Sequence, residues 1–190
     1  LFNAAHDQSI ITHKDLRCSA GSVAVAGAVA LALEQKEIDH VNFLTEIAKL
    51  CALVDPAAQA VFTSLIDWVA LEPEEALKSI VLAGYAMGSI ESWQGLTPFV
   101  TGSVLWSLYS FLHSPRSYLD TLATAIGVGG DVDTTAAMAG AISGAYLGID
   151  GIPQDLAVHL MDQGEWGYED LIQLAITLYE IKVQLGISGP

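Results

Sequence analysis

The chain has 190 residues, 52% of them hydrophobic, with 22 acids against 7 lysines and arginines and a net charge of −15. That balance argues against nucleic-acid binding, which needs clustered cations to neutralise phosphates, and it helps keep an apolar chain dispersed. The length suits one domain with a sizeable core.

The opening LFNAAHDQS has no Met, and no basic stretch followed by an apolar one and a cleavage site. No secretory signal is visible, and the start reads as a point inside a longer protein. From Cys18 to Leu33 run 16 uncharged residues rich in Ala, Gly and Ser. A membrane span needs ~20 apolar residues, so a core helix over about residues 20–35 is expected, and no membrane partner. Cys18 and Cys51 do not make a disulfide framework in a chain this size, and reduced thiols in a cytoplasmic protein are expected. The helical stretch over about 39–53 places Phe43, Ile47, Leu50 and, just past it, Val54 on one face. Asp55-Pro56 starts a helix to about residue 70. Glu72-Pro73-Glu74-Glu75 repeats the device, with acids where the helix dipole favours them. Residues 91–100 read as a loop leading into an aromatic-rich helix, and Ser114-Pro115 as the start of a helix to Thr124. Ile152-Pro153 opens a short helix, and an amphipathic one closes the chain. The expectation is an all-α fold of about nine helices, one domain over 1–190, since no repeat, low-complexity tract or Gly/Ser linker divides it.

Residues 126–148 read IGVGGDVDTTAAMAGAISGAYLG. Asp131 and Asp133 stand two apart, behind Gly129-Gly130 and before Thr134 and Thr135. Three readings compete. Helix capping makes Asp133 the N-cap and the glycines a tight turn, but leaves Asp131 without a role. The run also fits the D-x-D-x-T nucleophile loop of haloacid-dehalogenase-type phosphotransferases. That loop leaves a buried strand, whereas TLATAIGVGG reads as a helix with a Gly stop, and the 55 residues after Thr135 hold one lysine, Lys182. The third reading is a metal site: two carboxylates and the Thr134 hydroxyl on one turn suit Mg²⁺ or Mn²⁺, which take oxygen ligands. Glycines 127, 129 and 130 would let the backbone approach a ligand. Gly140, Gly144 and Gly148, with Ala137, Ala141 and Ala145 alongside, would let another helix backbone come close and wedge this helix deep in the bundle.

GVGGDVDTTAAMAGAISGAYLGIDGIP resembles the C-terminal signature of the ADP-ribosylglycohydrolases, all-helical enzymes related to dinitrogenase-reductase-activating glycohydrolase. SIITHKDLRCSAGSVAVAGAVALAL is similar to the Thr-His segment and Ala-rich helix of that family, and PFVTGSVLWSLYSFLHSPRSYLDTLATAI to the helices feeding the acid turn. The resemblance implies hydrolysis of the bond between ADP-ribose and a protein side chain or small-molecule acceptor, at a dinuclear Mg²⁺ centre. It implies Asp131, Asp133 and Thr134 as metal ligands, with the two acids catalytic through the metals they anchor. It implies His13 as an ADP-ribose contact, and backbone N–H groups from Gly127 through Gly129 and Gly130 could meet its oxygens. Trp93, Phe99 and Tyr118 could stack on adenine, but aromatics at helical spacing read as core. Val132 stands where the family usually has Thr. The Thr-Asp-Asp-Thr motif that holds the other side of the metals does not occur in these 190 residues, so an N-terminal segment is expected to be missing. The other reading within the family is a non-catalytic ADP-ribose binder or crystallin-like structural protein.

Overall fold

The structure, a computed structural model, describes residues 1–84 and 95–187. Ten α-helices occur among them: α1 (Phe2–Ser9), α2 (Leu16–Glu34), α3 (His40–Ala52), α4 (Pro56–Trp68), α5 (Pro73–Ala83), α6 (Val100–His113), α7 (Tyr118–Gly127), α8 (Val132–Leu147), α9 (Gln154–Ala157) and α10 (Tyr168–Gln184). The described strands are a two-residue hairpin, β1 (Met161–Asp162) antiparallel to β2 (Trp166–Gly167).

Side-chain caps set several of the starts. Asp39 accepts from the Asn42 N–H at 2.9 Å, and Asp55 from the Ala57 N–H at 3.0 Å with Pro56 following it. Such caps stabilise a helix by about 1 kcal/mol each. The helix expected from Ser114-Pro115 begins later, at Tyr118, because Ser117 caps it and the Thr121 hydroxyl returns to the Ser114 carbonyl at 3.1 Å.

Helix α6 is the axis of the core. Every residue from Gly102 to Leu112 is buried, as befits a helix apolar all round. Trp106 stacks on Tyr109 with ring centroids 4.9 Å apart, and Phe111 meets Phe43 of α3. Helix α2 runs 19 residues, longer than its sequence suggested, and by length and composition alone it could cross a membrane. In this fold it lies among α1, α3, α6 and α8 with Ala20, Val23, Ala24 and Ala28 buried, which supports the core reading.

Helix α6 also fixes the segment that carries the acid pair. The Trp106 indole N–H donates to the Ala125 carbonyl near the end of α7 (3.2 Å), and the Ser107 hydroxyl to the Thr135 carbonyl in the first turn of α8 (3.1 Å). Between these anchors, the Leu96 N–H donates to the Gly129 carbonyl at 3.1 Å and the Asp131 N–H to the Leu96 carbonyl at 2.9 Å. This isolated parallel bridge pairs Leu96 with Gly130.

Two packing expectations are corrected. The glycines of α8 do not admit a helix backbone: Gly140 makes room for the Tyr118 and Leu122 side chains of α7, and Gly148 is the left-handed end of the helix. Ala137 and Ala141 face outward. The closing helix α10 has apolar residues on more than one face, and it buries none of them: Leu178, Tyr179 and Val183 are all at least 57% exposed.

The two turn glycines differ in a testable way. Gly130 has φ +87°, and a Cβ there would strike the Leu96 backbone, whereas Gly129 has φ +72° but open space around it. Gly129→Ala is expected to cost about 1–2 kcal/mol from the left-handed backbone alone. Gly130→Ala is expected to cost more than about 3 kcal/mol, since it also breaks the bridge. Urea denaturation of the two variants checks the difference.

Candidate metal centre and ligand cleft

Helix α8 begins one residue after Asp131, so Asp131 and not Asp133 is the N-cap, contrary to the capping reading of the sequence. Its carboxylate makes no capping bond to the helix backbone. Instead Oδ1 accepts the Thr134 hydroxyl at 2.9 Å. Thr135 is buried and turned inward, donating to the Asp131 carbonyl at 3.1 Å. Asp131 is half-buried, while Asp133 and Thr134 are exposed on the first turn. The helix dipole favours both acids at this end.

The three glycines of the turn differ in their surroundings. Gly130 admits the Leu96 backbone, and the Gly129 N–H is occupied by the Ile126 carbonyl at 3.1 Å. Gly127 is the last residue of α7.

The chain brings His13 to the same place from far away in sequence. A cleft of about 430 Å³ between the start of α2 and the starts of α6 and α8 is lined by His13, Arg17, Cys18, Phe99, Ser103, Thr134 and Met138, among others. His13 lies between α1 and α2 with Nδ1 3.0 Å from the Thr12 hydroxyl. Thr134 thus joins the cleft to the Asp131 carboxylate. Asp131 and Asp133 are not among the residues lining the cleft. Tyr118 lines a different cavity, between α7, α9 and α10, and Trp93 lies outside the described residues.

The sequence matches the ADP-ribosylglycohydrolase family model over residues 1–185. The chain belongs to that family. Over 61 residues it is 44% identical to ADP-ribosylhydrolase ARH3 of Homo sapiens, and 43% identical to the proteins of that name from Bos taurus and Danio rerio. Those matches cover 32% of this chain and 15% of each relative, so the chain meets them over a small part of their length. For an ADP-ribosylglycohydrolase, the acid turn and the cleft beside it are the parts of the fold to test for a cation and a ligand.

Asp131, Asp133 and Thr134 offer hard oxygen donors on one turn, the donor chemistry that Mg²⁺ or Mn²⁺ takes. They fit as one wall of a centre. Among the described residues no three His, Cys, Asp or Glu side chains converge.

The sequence reading gave no role to Asp15 and Arg17. Asp15 caps α2, accepting the Arg17 backbone N–H at 2.9 Å, and its carboxylate also takes two donors of the Arg17 guanidinium. Arg17 in turn lies over the Phe99 ring, 5.1 Å from its centroid. An Asp two residues before an Arg at a helix entrance was the available signal. Cys18, half-buried in the cleft wall, has its thiol pKa raised by burial, which argues against a nucleophile.

Hydrogen bonds from Arg17 hold the Asp15 carboxyl at about 2, below its ordinary 3.8. A carboxylate depressed in the fold contributes stability that is present above the unfolded pKa and is lost as pH falls through the folded value. Asp15 is expected to titrate near 2 by NMR, and Arg17→Met to return it towards 3.8.

Proposed function

We propose that the chain carries one wall of a divalent-cation centre in a hydrolase that releases ADP-ribose from a protein side chain or from a small-molecule acceptor. The carrying observation is the meeting of His13 and Thr134 in one cleft, with Asp131 bonded to the Thr134 hydroxyl. Family membership supports the substrate class. Asp131, Asp133 and Thr134 are the residues that would hold Mg²⁺ or Mn²⁺.

Departure of the acceptor from C1″ builds positive charge on the ribose, as in glycoside hydrolysis. His13, on the facing segment, provides an imidazole to orient the ADP-ribose, and orientation removes much of the entropic barrier. The carboxylates of Asp131 and Asp133 place negative charge at the entrance of α8. Their mount is stiff, because α6 and Leu96 hold the backbone on either side. A bound divalent cation supplies Lewis acidity towards ribose hydroxyls and an attacking water.

Two carboxylates and one hydroxyl fall short of the about six oxygens an Mg²⁺ ion takes. The remainder would come from water and from a Thr-Asp-Asp-Thr set outside this sequence, as the family resemblance implies. The 190-residue chain is therefore expected to bind Mg²⁺ weakly by calorimetry. It is expected to release little or no ADP-ribose from ADP-ribosyl-arginine or ADP-ribosyl-serine peptides. A longer chain that adds the Thr-Asp-Asp-Thr set is expected to be active with Mg²⁺, and Asp131→Ala to abolish that activity without loss of helicity. Robust turnover by the 190-residue chain overturns the one-wall reading. A longer chain that binds ADP-ribose and releases none in Mg²⁺ makes the protein a binder instead.

A further inference from the structure

Within the cleft, the wall made by the start of α2 carries a layered arrangement that no step above uses. Phe99 precedes α6 and is half-buried, Arg17 lies over its ring, and Asp15 holds the guanidinium through Nε at 2.9 Å and through Nη2. Arg17 lines the cleft with its side chain still 48% exposed. A side chain with this much rotamer freedom is held here by two partners at once: the Asp15 carboxylate, which takes two of its donors, and the Phe99 ring.

Such a group can serve a nucleotide in two ways, through its charge towards a diphosphate or through its plane towards a base. The surroundings decide between them. Asp15 lies directly on the guanidinium and occupies two of its five donors, and Asp55 borders the adjoining cavity that Arg17 also lines. An incoming diphosphate meets these carboxylates as well as the arginine, in a chain of net charge −15. A flat, uncharged heteroaromatic ring meets a guanidinium already held by Asp15 and Phe99, with less entropy left to lose. Stacking of a base on aromatic or arginine planes is worth about 1–3 kcal/mol.

We infer that the Arg17–Phe99 pair is the shelf that stacks the planar base of the ligand, an adenine where the ligand is ADP-ribose, with Asp15 as its positioning residue. The inference rests on the ADP-ribose reading of the cleft. It assigns Phe99 a ligand role that its place beside a core helix obscured in the sequence.

Saturation-transfer NMR on the 190-residue chain, which registers weak binding, tests it with ADP-ribose and ribose 5-phosphate as probes. The adenine H2 and H8 protons of ADP-ribose are expected to saturate strongly, and ADP-ribose to bind about tenfold more tightly than ribose 5-phosphate. Arg17→Ala and Phe99→Ala are expected to erase that ratio while leaving ribose 5-phosphate unchanged. Arg17→Lys keeps the charge but not the plane, so it is expected to behave like Arg17→Ala. Asp15→Asn, which retains an N-cap acceptor, is expected to lower the ratio partially, and circular dichroism confirms that each variant is folded. Wild-type affinity in Arg17→Lys, or equal loss of both probes in Arg17→Ala, overturns the shelf and leaves the ADP-ribose reading standing. Binding of neither probe to the wild-type chain overturns the shelf, and the ADP-ribose reading is then decided on the longer chain.

Discussion

The candidate site depends on one contact that is remote in sequence: the backbone of Leu96 lies against Gly130 and exchanges hydrogen bonds with its two neighbours. A net stabilisation of about 0.5–1.5 kcal/mol per bond is modest. The steric consequence is larger, because a residue with a side chain has no room at 130. Leu96 itself is buried, so the loop cannot move away without exposing an apolar side chain. Asp131 therefore starts α8 at a fixed place, with α6 bonded to α7 on one side of the turn and to α8 on the other.

Much of the helical architecture was legible because its signals are local. Asp55 with Pro56 and Glu72 with Pro73 each announce a start within a few residues, and the structure begins α4 and α5 there. The face predicted for α3 was close: Phe43 and Ile47 are buried, but Leu44, Ala48 and Cys51 complete it where Leu50 and Val54 were expected. What local signals could not reveal was the purpose of the small residues. A double glycine before two acids reads equally well as room for a ligand or room for a neighbouring chain segment. At Gly130 the room goes to Leu96, whose own sequence neighbourhood carries no mark of the pairing, while Gly129 has open space around it. For α8 the same ambiguity ran the other way, since Gly140 accommodates a tyrosine and a leucine and not a backbone.

The site residues show a similar division. The acid pair and Thr134 could be singled out from their spacing, and His13 from its resemblance, but nothing in the chain says that His13 and Thr134 share a cleft. Arg17 carried one local mark, the Asp two residues before it, but its contact with Phe99 is a tertiary fact. The closing helix is the converse case: its apolar pattern announced a helix correctly, and its exposure shows that pattern alone does not say what covers a face.

Capping and metal binding first looked like rival explanations of the acids, and the geometry makes them compatible. Asp131 holds the N-cap position yet leaves the backbone donors of α8 alone, directing its carboxylate to the Thr134 hydroxyl. Asp133 sits in the first turn with no described partner. Near the positive end of the helix dipole each carboxylate is favoured by about 0.3–1 kcal/mol, which offsets part of the repulsion between two close negative charges. Small metal-dependent domains, by contrast, fold only when the ion arrives. Here the backbone around the turn is bonded to α6 and Leu96 without help from the acid side chains. Replacing the carboxylate at 131 therefore takes away charge and an oxygen donor while the hydrogen bonds that build the turn, which come from the backbone, remain.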